Sequence, residues 1–391
     1  MTIKKIYLKP GKERSLERQH PWVFSGALAP GHENIVDGTI IQLVDNYKKI
    51  QATGFYSPSS IAVRILHFGE INIDQSFFNT KIKAAFDLRK KLNLPEKNIT
   101  NCYRLIHGEG DGFPGLIIDI YANTAVVQCH TNGYHAFLDE IKNAVIEFSD
   151  NEIKYVYFKS KESTNPEVKS NDKYIGETGH DEIEVLENGN KFYVNIVTGQ
   201  KTGFFLDQRD NRELLKKFSK NQKVLNTFSY SGGFSVYALA AGASHVASVD
   251  ISQKAIDLCN KNIALNGFTN HTSLVADVVD HIKQVGDDYD VIILDPPAFA
   301  KHLSARHKAV IGYKRINAEA IKKIKPGGII FTFSCSQAVD RELFESTVCA
   351  AAIEAGRNVQ ILHRMNQPAD HPVSIFHPEG HYLKGLVIHV G

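Results

Sequence analysis

VLNTFSYSGGFSVYALAAGASHVASVD, residues 224–250, is the stretch from which the fold is read. Val224–Phe228 is a short apolar run with strand composition. Ser229–Gly233 is a small turn with two glycines. Phe234–Ala241 has helical spacing, Gly242 stops it, and His245–Val249 is a second strand that ends at Asp250. Strand, turn, helix and strand in that order form one unit of a parallel α/β sheet. Gly232 and Gly233 allow close backbone approach at a helix N-terminus, where anions and nucleotides are held. Asp250, at the tip of the second strand, is where such folds keep a carboxylate for ribose hydroxyls. A two-glycine turn alone also fits a plain structural turn; the whole unit with an acid in register is more specific.

The alternation continues downstream. Ser252 caps a helix running to Leu265. His271–Val275 is a third strand ending at Asp277, and Asp290–Leu294 a fourth, running into Asp295-Pro296-Pro297-Ala298-Phe299. His307–Lys323 is a long helix ended by Pro-Gly-Gly. Ile329–Phe333 is a fifth strand leading into Ser334-Cys335-Ser336, and Arg341–Ala355 a further helix. The last two strands, Val359–His363 and Leu383–Val390, are joined by a Pro-rich segment too short for a crossover helix. An antiparallel pair is therefore expected at the end of a mostly parallel sheet. Ligands of open α/β sheets sit outside the carboxyl ends of the strands. Those ends carry the Ser/Gly turn, Asp250, Asp277, Asp295 and Cys335.

Upstream, residues 1–70 hold five short β-prone runs broken by Gly, Pro and Asp, which suggests a small all-β barrel. Trp22 and Phe24 are read as core in preference to an aromatic platform. Residues 71–195 read as a small α+β module: a helix from Asp74 to Asn93 with Phe77, Phe78, Ile82, Ala85 and Leu88 inward, a hairpin over Cys102–His130, an amphipathic helix from Tyr134 to Phe148, and strands near Lys154–Phe158, Glu184–Leu186 and Phe192–Val197. Residues 199–212, GQKTGFFLDQRDNR, mix Lys201 and Arg209 with aromatics just before the nucleotide-like unit. They are expected to wall the ligand site, the alternative being ion pairs that seat the next helix. Residues 196–391 form the third expected domain.

Composition limits the function classes. With 43% hydrophobic and 23% charged residues the chain is ordinary globular material, and no long apolar run marks a membrane span or secretory leader. A net charge of +2 does not by itself argue for nucleic acid, but Lys4, Lys5, Lys9, Lys12, Arg14 and Arg18 crowd the N-terminus. Such a local face can steer a polyanion. Five cysteines without a Cys-x-x-Cys pair fit a reducing, cytoplasmic setting and no zinc ribbon. Cys259 and Cys349 are expected in core helix faces. The histidines of residues 370–381 are read as surface or loop-packing groups, and no metal centre is expected.

Seven strands with the last antiparallel resemble the class I S-adenosylmethionine methyltransferases, a Rossmann-like fold. The resemblance implies that Phe228, Ser229, Gly232, Gly233 and Ile251 lie beside the cofactor, that Asp250 holds the ribose hydroxyls, and that Asp277 lies near adenine. Lys201, Arg209 and Asp295 complete the expected cofactor site. Asn226 stands where the usual glycine-rich motif has an acid. Along the whole chain HPWVFSGAL, GEGDGFPGLIIDIY, GQKTGFFLDQRDNR, DPPAF, TFSCS and the ADHPV to YLKG segment are similar to the ribosomal large-subunit methyltransferase I family. This implies an N-terminal PUA domain over 1–70, a central α+β domain, and methylation of carbon 5 of a cytidine in 23S ribosomal RNA, free or in a large-subunit precursor. It leaves a homodimer open.

Carbon 5 of cytosine is a poor nucleophile, so the chemistry needs a thiolate that adds to carbon 6. Cys335, flanked by serines after the fifth strand, is expected to be that nucleophile. Asp295 is expected to hold ring N3 and the exocyclic amine, with Pro296, Pro297, Phe299 and Lys301 contacting the substrate. Ala298 stands where some cytosine-5 enzymes carry a second cysteine. Two alternatives stay open: methylation of an exocyclic amine or guanine N7, and a non-catalytic RNA-binding assembly factor.

Overall fold

The computed structural model describes residues 3–160, 172–300 and 302–391. The chain forms two compact units, Met1–Ile183 with Val194–Phe204 and Ala369–Gly380, and Glu184–Tyr193 with Phe205–Pro368 and His381–Gly391.

In the first unit, β1 (Lys4–Tyr7), a single helical turn α1 (Arg14–Glu17), β2 (Trp22–Phe24), β3 (Ile40–Val44), β4 (Ile50–Tyr56) and β5 (Ile61–Phe68) build a five-stranded sheet in the order β1-β3-β4-β5-β2. Only the β1–β3 pair is parallel. There follow α2 (Gln75–Lys91), β6 (Cys102–His107), β7 (Leu116–Tyr121), β8 (Thr124–Cys129), α3 (Leu138–Phe148), β9 (Tyr155–Ser160) and β10 (Lys173–Tyr174), whose sheet runs β10-β9-β8-β7-β6. Asp74 starts α2 by accepting from Phe77 N at 3.1 Å, satisfying one of the donors a helix start leaves open. The inward stripe of α2 is Phe78, Ile82, Ala85, Phe86 and Arg89, and Leu88 is 38% exposed rather than inward. Arg89 takes the next core-facing position because its charge is matched there. It grips Asp111 with two bonds of 2.5 and 2.8 Å and donates to the Arg104 and Asp370 carbonyls at 2.8 Å. The expected Tyr134–Phe148 helix divides into a tight 3₁₀ stretch, Asn132–Phe137, and α3. Phe55 and Leu66 of the N-terminal sheet share one apolar cluster with Phe77, Phe78, Phe113 and Phe158, so the first two sequence modules have a common core.

β11 (Glu182–Glu187) and β12 (Asn190–Asn195) form a two-stranded ribbon. The second unit then carries α4 (Arg209–Leu215), β13 (Lys223–Thr227), α5 (Gly233–Ala240), β14 (His245–Asp250), α6 (Gln253–Leu265), β15 (His271–Val275), α7 (Val278–Gln284), β16 (Val291–Leu294), α8 (Arg306–Lys323), β17 (Gly328–Ser334), α9 (Arg341–Ala355), β18 (Val359–Met365) and β19 (Lys384–Val390). The sheet runs β15-β14-β13-β16-β17-β19-β18. β13 to β17 pair in parallel, and β19 lies antiparallel between β17 and β18, the arrangement the short final connection requires. α7 was not expected from sequence. Asp277 is its N-cap, accepting from Asp280 N at 3.1 Å, and β15 stops two residues earlier. The core of this unit joins Leu225, Val249, Ile292, Leu294, Ile330 and Ile388 to Tyr313, Ile316 and Ile321 of α8 and Phe344 and Val348 of α9. Cys259 is fully buried as expected, but Cys349 is exposed. The buried face of α9 is Phe344, Thr347, Val348 and Ala351, and residue 349 is turned about 100° off it. Among the described residues no helix is long and apolar enough to cross a membrane.

Candidate active site

The turn after β13 is held by unusual backbone angles and by Asp250. Phe228 and Tyr230 adopt left-handed conformations, φ 53° and 43°, and Gly232 follows at φ 77° as the N-cap of α5. Non-glycine residues enter that region only when their surroundings force them to. At Tyr230 the force comes from Asp250: its carboxylate accepts from Tyr230 N at 3.0 Å and from Ser252 N at 2.9 Å, tying the turn to the start of α6. A methyl group on Gly232 would lie 2.6 Å from Cys259 Sγ, and one on Gly233 would lie 3.1 Å from Arg212 Cδ. The bareness of these glycines thus serves packing against α6 and α4. Beneath the turn, Asn226 donates to Ser235 Oγ at 2.8 Å, Ser235 meets Ser248 at 2.7 Å, and Ser248 meets His271 Nε2 at 2.8 Å. This chain of buried polar contacts gives the side chain of Asn226 a partner inside the protein. Burial pulls the His271 imidazole down to about 4. Ser229 Oγ, at the top of the turn, is buried without a hydrogen-bond partner, a polar atom that a bound ligand can satisfy.

The ends of β16 and β17 meet through Ser336. Its Oγ accepts from Ala300 N at 3.2 Å and from Tyr313 OH at 3.2 Å. The Asp295–Ala300 loop is thereby fastened to the segment that carries Cys335. Phe299 packs on Tyr313 with ring centres 4.7 Å apart. Pro296 is buried, and Asp295 and Cys335 are partly exposed. Lys384 enters from β19, whose register pairs it with Ser334. Its Nζ donates to the Ser336 carbonyl at 2.7 Å, and the residue is only 6% exposed. Burial lowers the Lys384 ammonium to about 8, against the opposing pull of the neighbouring Cys335 sulfur. Sequence reasoning missed Lys384; its position inside an otherwise apolar strand, GLVIHV following, was the available signal.

Within residues 205–212 several side chains are paired around α4. Arg212 grips Glu187 with bonds of 2.8 and 2.7 Å, both side chains buried, and Tyr237 OH adds a third bond to Glu187 at 3.0 Å. Asp207 accepts from Tyr382 OH at 2.8 Å, and Arg209 is buried near Asp210 at 3.7 Å. Lys201 is exposed and belongs to the first unit. Of the remaining expected site residues, Ile251 is 70% exposed beside Asp250, Asp277 is an exposed helix cap, and Pro297 is exposed on its loop. Lys301 lies outside the described residues. Trp22 is half-buried instead of core: its Nε1 donates to Glu109 at 2.7 Å, and its ring stands edge-on to His377 at 4.3 Å. His371 and His377 are buried rather than on the surface.

A Rossmann-like sheet with this strand order defines a class of S-adenosylmethionine-dependent methyltransferase, and comparisons agree. The S-adenosylmethionine-dependent methyltransferase family matches residues 165–381, and a PUA-like domain matches residues 6–68. The ribosomal RNA large subunit methyltransferase I of Alteromonas mediterranea is 39% identical over 98% of each chain, and that of Shewanella frigidimarina is 42% identical over 99% of each. A chain from Streptococcus mutans described as a SAM-dependent methyltransferase superposes with a TM-score of 0.84 at 24% identity, covering 99% of this chain and 100% of that one. A methyltransferase solved with SAH gives 0.85 at 23% identity, with coverage of 99% and 100%. The chain belongs to the ribosomal RNA large subunit methyltransferase I family, and its cofactor is S-adenosylmethionine.

Proposed function

We propose that the protein methylates carbon 5 of a cytidine in 23S ribosomal RNA through a covalent adduct on Cys335. The observation that carries this reading is the fastening of the Asp295–Ala300 loop to the Cys335 segment through Ser336, with a buried lysine at the same place. The names of the most similar relatives support the RNA substrate. When bound, S-adenosylmethionine supplies an electrophilic methyl group. Ser229, with its unsatisfied hydroxyl, and Asp250, with lone pairs beyond its two backbone bonds, are suited to hold it, as are Phe228, Ile251, Asp277, Gly232 and Gly233 around them.

The thiolate of Cys335 forms a bond to carbon 6 of the ring, and the electron pair of the 5,6 double bond becomes available at carbon 5 to take the methyl group, whose bond to the sulfonium sulfur would break with its electron pair left on sulfur as a neutral thioether. Loss of the carbon 5 proton then re-forms the double bond and expels the Cys335 thiolate. Asp295 holds N3 and the exocyclic amine and so favours the electrophilic ring. Pro296 and Pro297 stiffen that loop, and Phe299 completes the base pocket. An ammonium on Lys384 stabilises the thiolate before attack. The basic N-terminal segment of residues 1–70 contributes RNA backbone contacts, and residues 196–391 carry the chemistry.

RNA with 5-fluorocytidine at the target tests this. Fluorine cannot leave as the proton does, so the adduct accumulates, and peptide mapping is expected to find it on Cys335. Cys335→Ala is expected to lose turnover by at least about 10³-fold while keeping cofactor affinity. Undiminished methylation by Cys335→Ala, or a product methylated at an amine or at guanine N7, refutes the proposal.

A further inference from the structure

His20, His377 and Glu379 are brought together within the first unit from opposite ends of the sequence. Glu379 Oε2 lies 3.4 Å from His20 Nε2 and 3.8 Å from His377 Nε2, and the three donor atoms all lie within 4.8 Å of one another. A zinc ion with bonds of about 2.0–2.1 Å in tetrahedral geometry sets its ligand atoms about 3.3 Å apart. The two contacts to Glu379 are therefore within about 0.5 Å of that spacing.

His377 supplies a second, independent sign. Its side chain is 5% exposed, and its Nε2 has no hydrogen-bond partner although it faces the carboxylate. A buried polar atom without a partner calls for a missing group. The orientations are fixed from outside. Trp22 packs against His377 with ring centres 4.3 Å apart, and its indole N–H is anchored on Glu109. Nδ1 of His20 faces the amide of Trp22 at 3.1 Å and its carbonyl at 3.3 Å. Whichever nitrogen carries the His20 proton, Nδ1 has a backbone partner, and with the proton on Nδ1 the Nε2 lone pair is free for a metal. The 3₁₀ turn Pro378–Gly380 sets Glu379 half in solvent, which leaves an entry path and a place for a water ligand.

We infer that His20, His377 and Glu379 form a binding site for a divalent transition-metal ion of the zinc class, with water as fourth ligand, that staples residues 369–380 to the strand-rich N-terminal segment. Two imidazoles and a carboxylate suit zinc better than magnesium or calcium, which prefer oxygen.

The test uses the full chain carrying Cys349→Ser, stripped of metal with a chelator. Calorimetry is expected to show one equivalent of Zn²⁺ bound per chain. Co²⁺ at the site is expected to give visible bands of a four-coordinate N/O site without thiolate charge transfer. His377→Gln and Glu379→Gln are each expected to weaken Zn²⁺ binding at least about 100-fold. His32→Gln, which alters a histidine bonded to the Ala29 carbonyl, should leave it unchanged. Zn²⁺ should raise Tm in the parent and in His32→Gln but not in the two ligand variants. Should His377→Gln fail to fold, Glu379→Gln decides alone, because that side chain is 49% exposed. Absence of one-to-one binding in the parent, binding that survives Glu379→Gln, or a thiolate signature with Co²⁺ overturns the inference.

Discussion

Lys384 carries its charge where little water can reach it, and that gives its titration a readable sign. The ammonium loses its proton near 8 in the folded protein, well below its ordinary value, because burial disfavours the charge. On the proposed mechanism the positive charge favours the Cys335 thiolate below that pH, and above it the help fades. Lys384→Gln should therefore slow alkylation of Cys335 by iodoacetamide most below pH 8 and converge with the parent at higher pH. Parallel rate profiles for the two proteins would remove the lysine from the thiol's environment. Gly232 is a second residue with a sharp expectation. Alanine there meets both a left-handed backbone and a contact of 2.6 Å with Cys259 Sγ. Gly232→Ala should lose about 1–3 kcal/mol in urea unfolding, from overpacking together with backbone strain, whereas a change near zero would mean the turn relaxes freely.

At the scale of elements, the turn between β13 and α5 stands or falls with Asp250. Both carboxylate oxygens accept backbone N–H groups, one in the turn and one at the start of α6. Asp250→Ala should lower S-adenosylmethionine affinity by about 1–3 kcal/mol, the range for polar groups left unpaired, and calorimetry reads it directly; unchanged affinity would reassign Asp250 to a purely structural role. Much of this element was legible. A strand, a small-residue turn, a helix and an acid at the next strand end follow from local composition. The left-handed angles at Phe228 and Tyr230 were not legible, because neither residue type favours them and only Asp250, twenty positions on, enforces one. Helix faces were legible only to within one residue. Cys349 and Leu88 look inward by composition, yet a helix turns about 100° per residue, and Val348 and Arg89 hold the buried positions. Lys384 was hidden for a different reason: a lysine in a strand reads as solvent-facing until the register places it opposite Ser334.

At the scale of the molecule, the N-terminal sheet cannot be treated as a detachable RNA module. Phe55 and Leu66 share a cluster with Phe77 and Phe113, so cutting the chain near residue 70 would expose core and confound any binding assay. Charge neutralisation avoids this, since Lys4, Lys5, Lys9 and Lys12 are all exposed. Changing these four to Gln should weaken RNA binding and reduce the salt slope by at most about 0.7–0.9 per lost phosphate contact, with thermal stability retained. An unaltered slope in filter binding would make this face ordinary surface.

The place of β19 in its sheet has a consequence for synthesis on the ribosome. β17 emerges from the tunnel well before residues 384–390, and in the finished sheet β18 is joined to β17 only through β19. While translation is under way, β17 therefore presents an open hydrogen-bonding edge that β18 does not cover in the native arrangement, the kind of edge on which neighbouring nascent chains pair wrongly. Lys384 arrives with the strand that closes this edge. A chain halted before residue 384 would present Cys335 without Lys384, so, on the mechanism proposed above, vectorial synthesis itself would postpone thiol activation until the sheet can close.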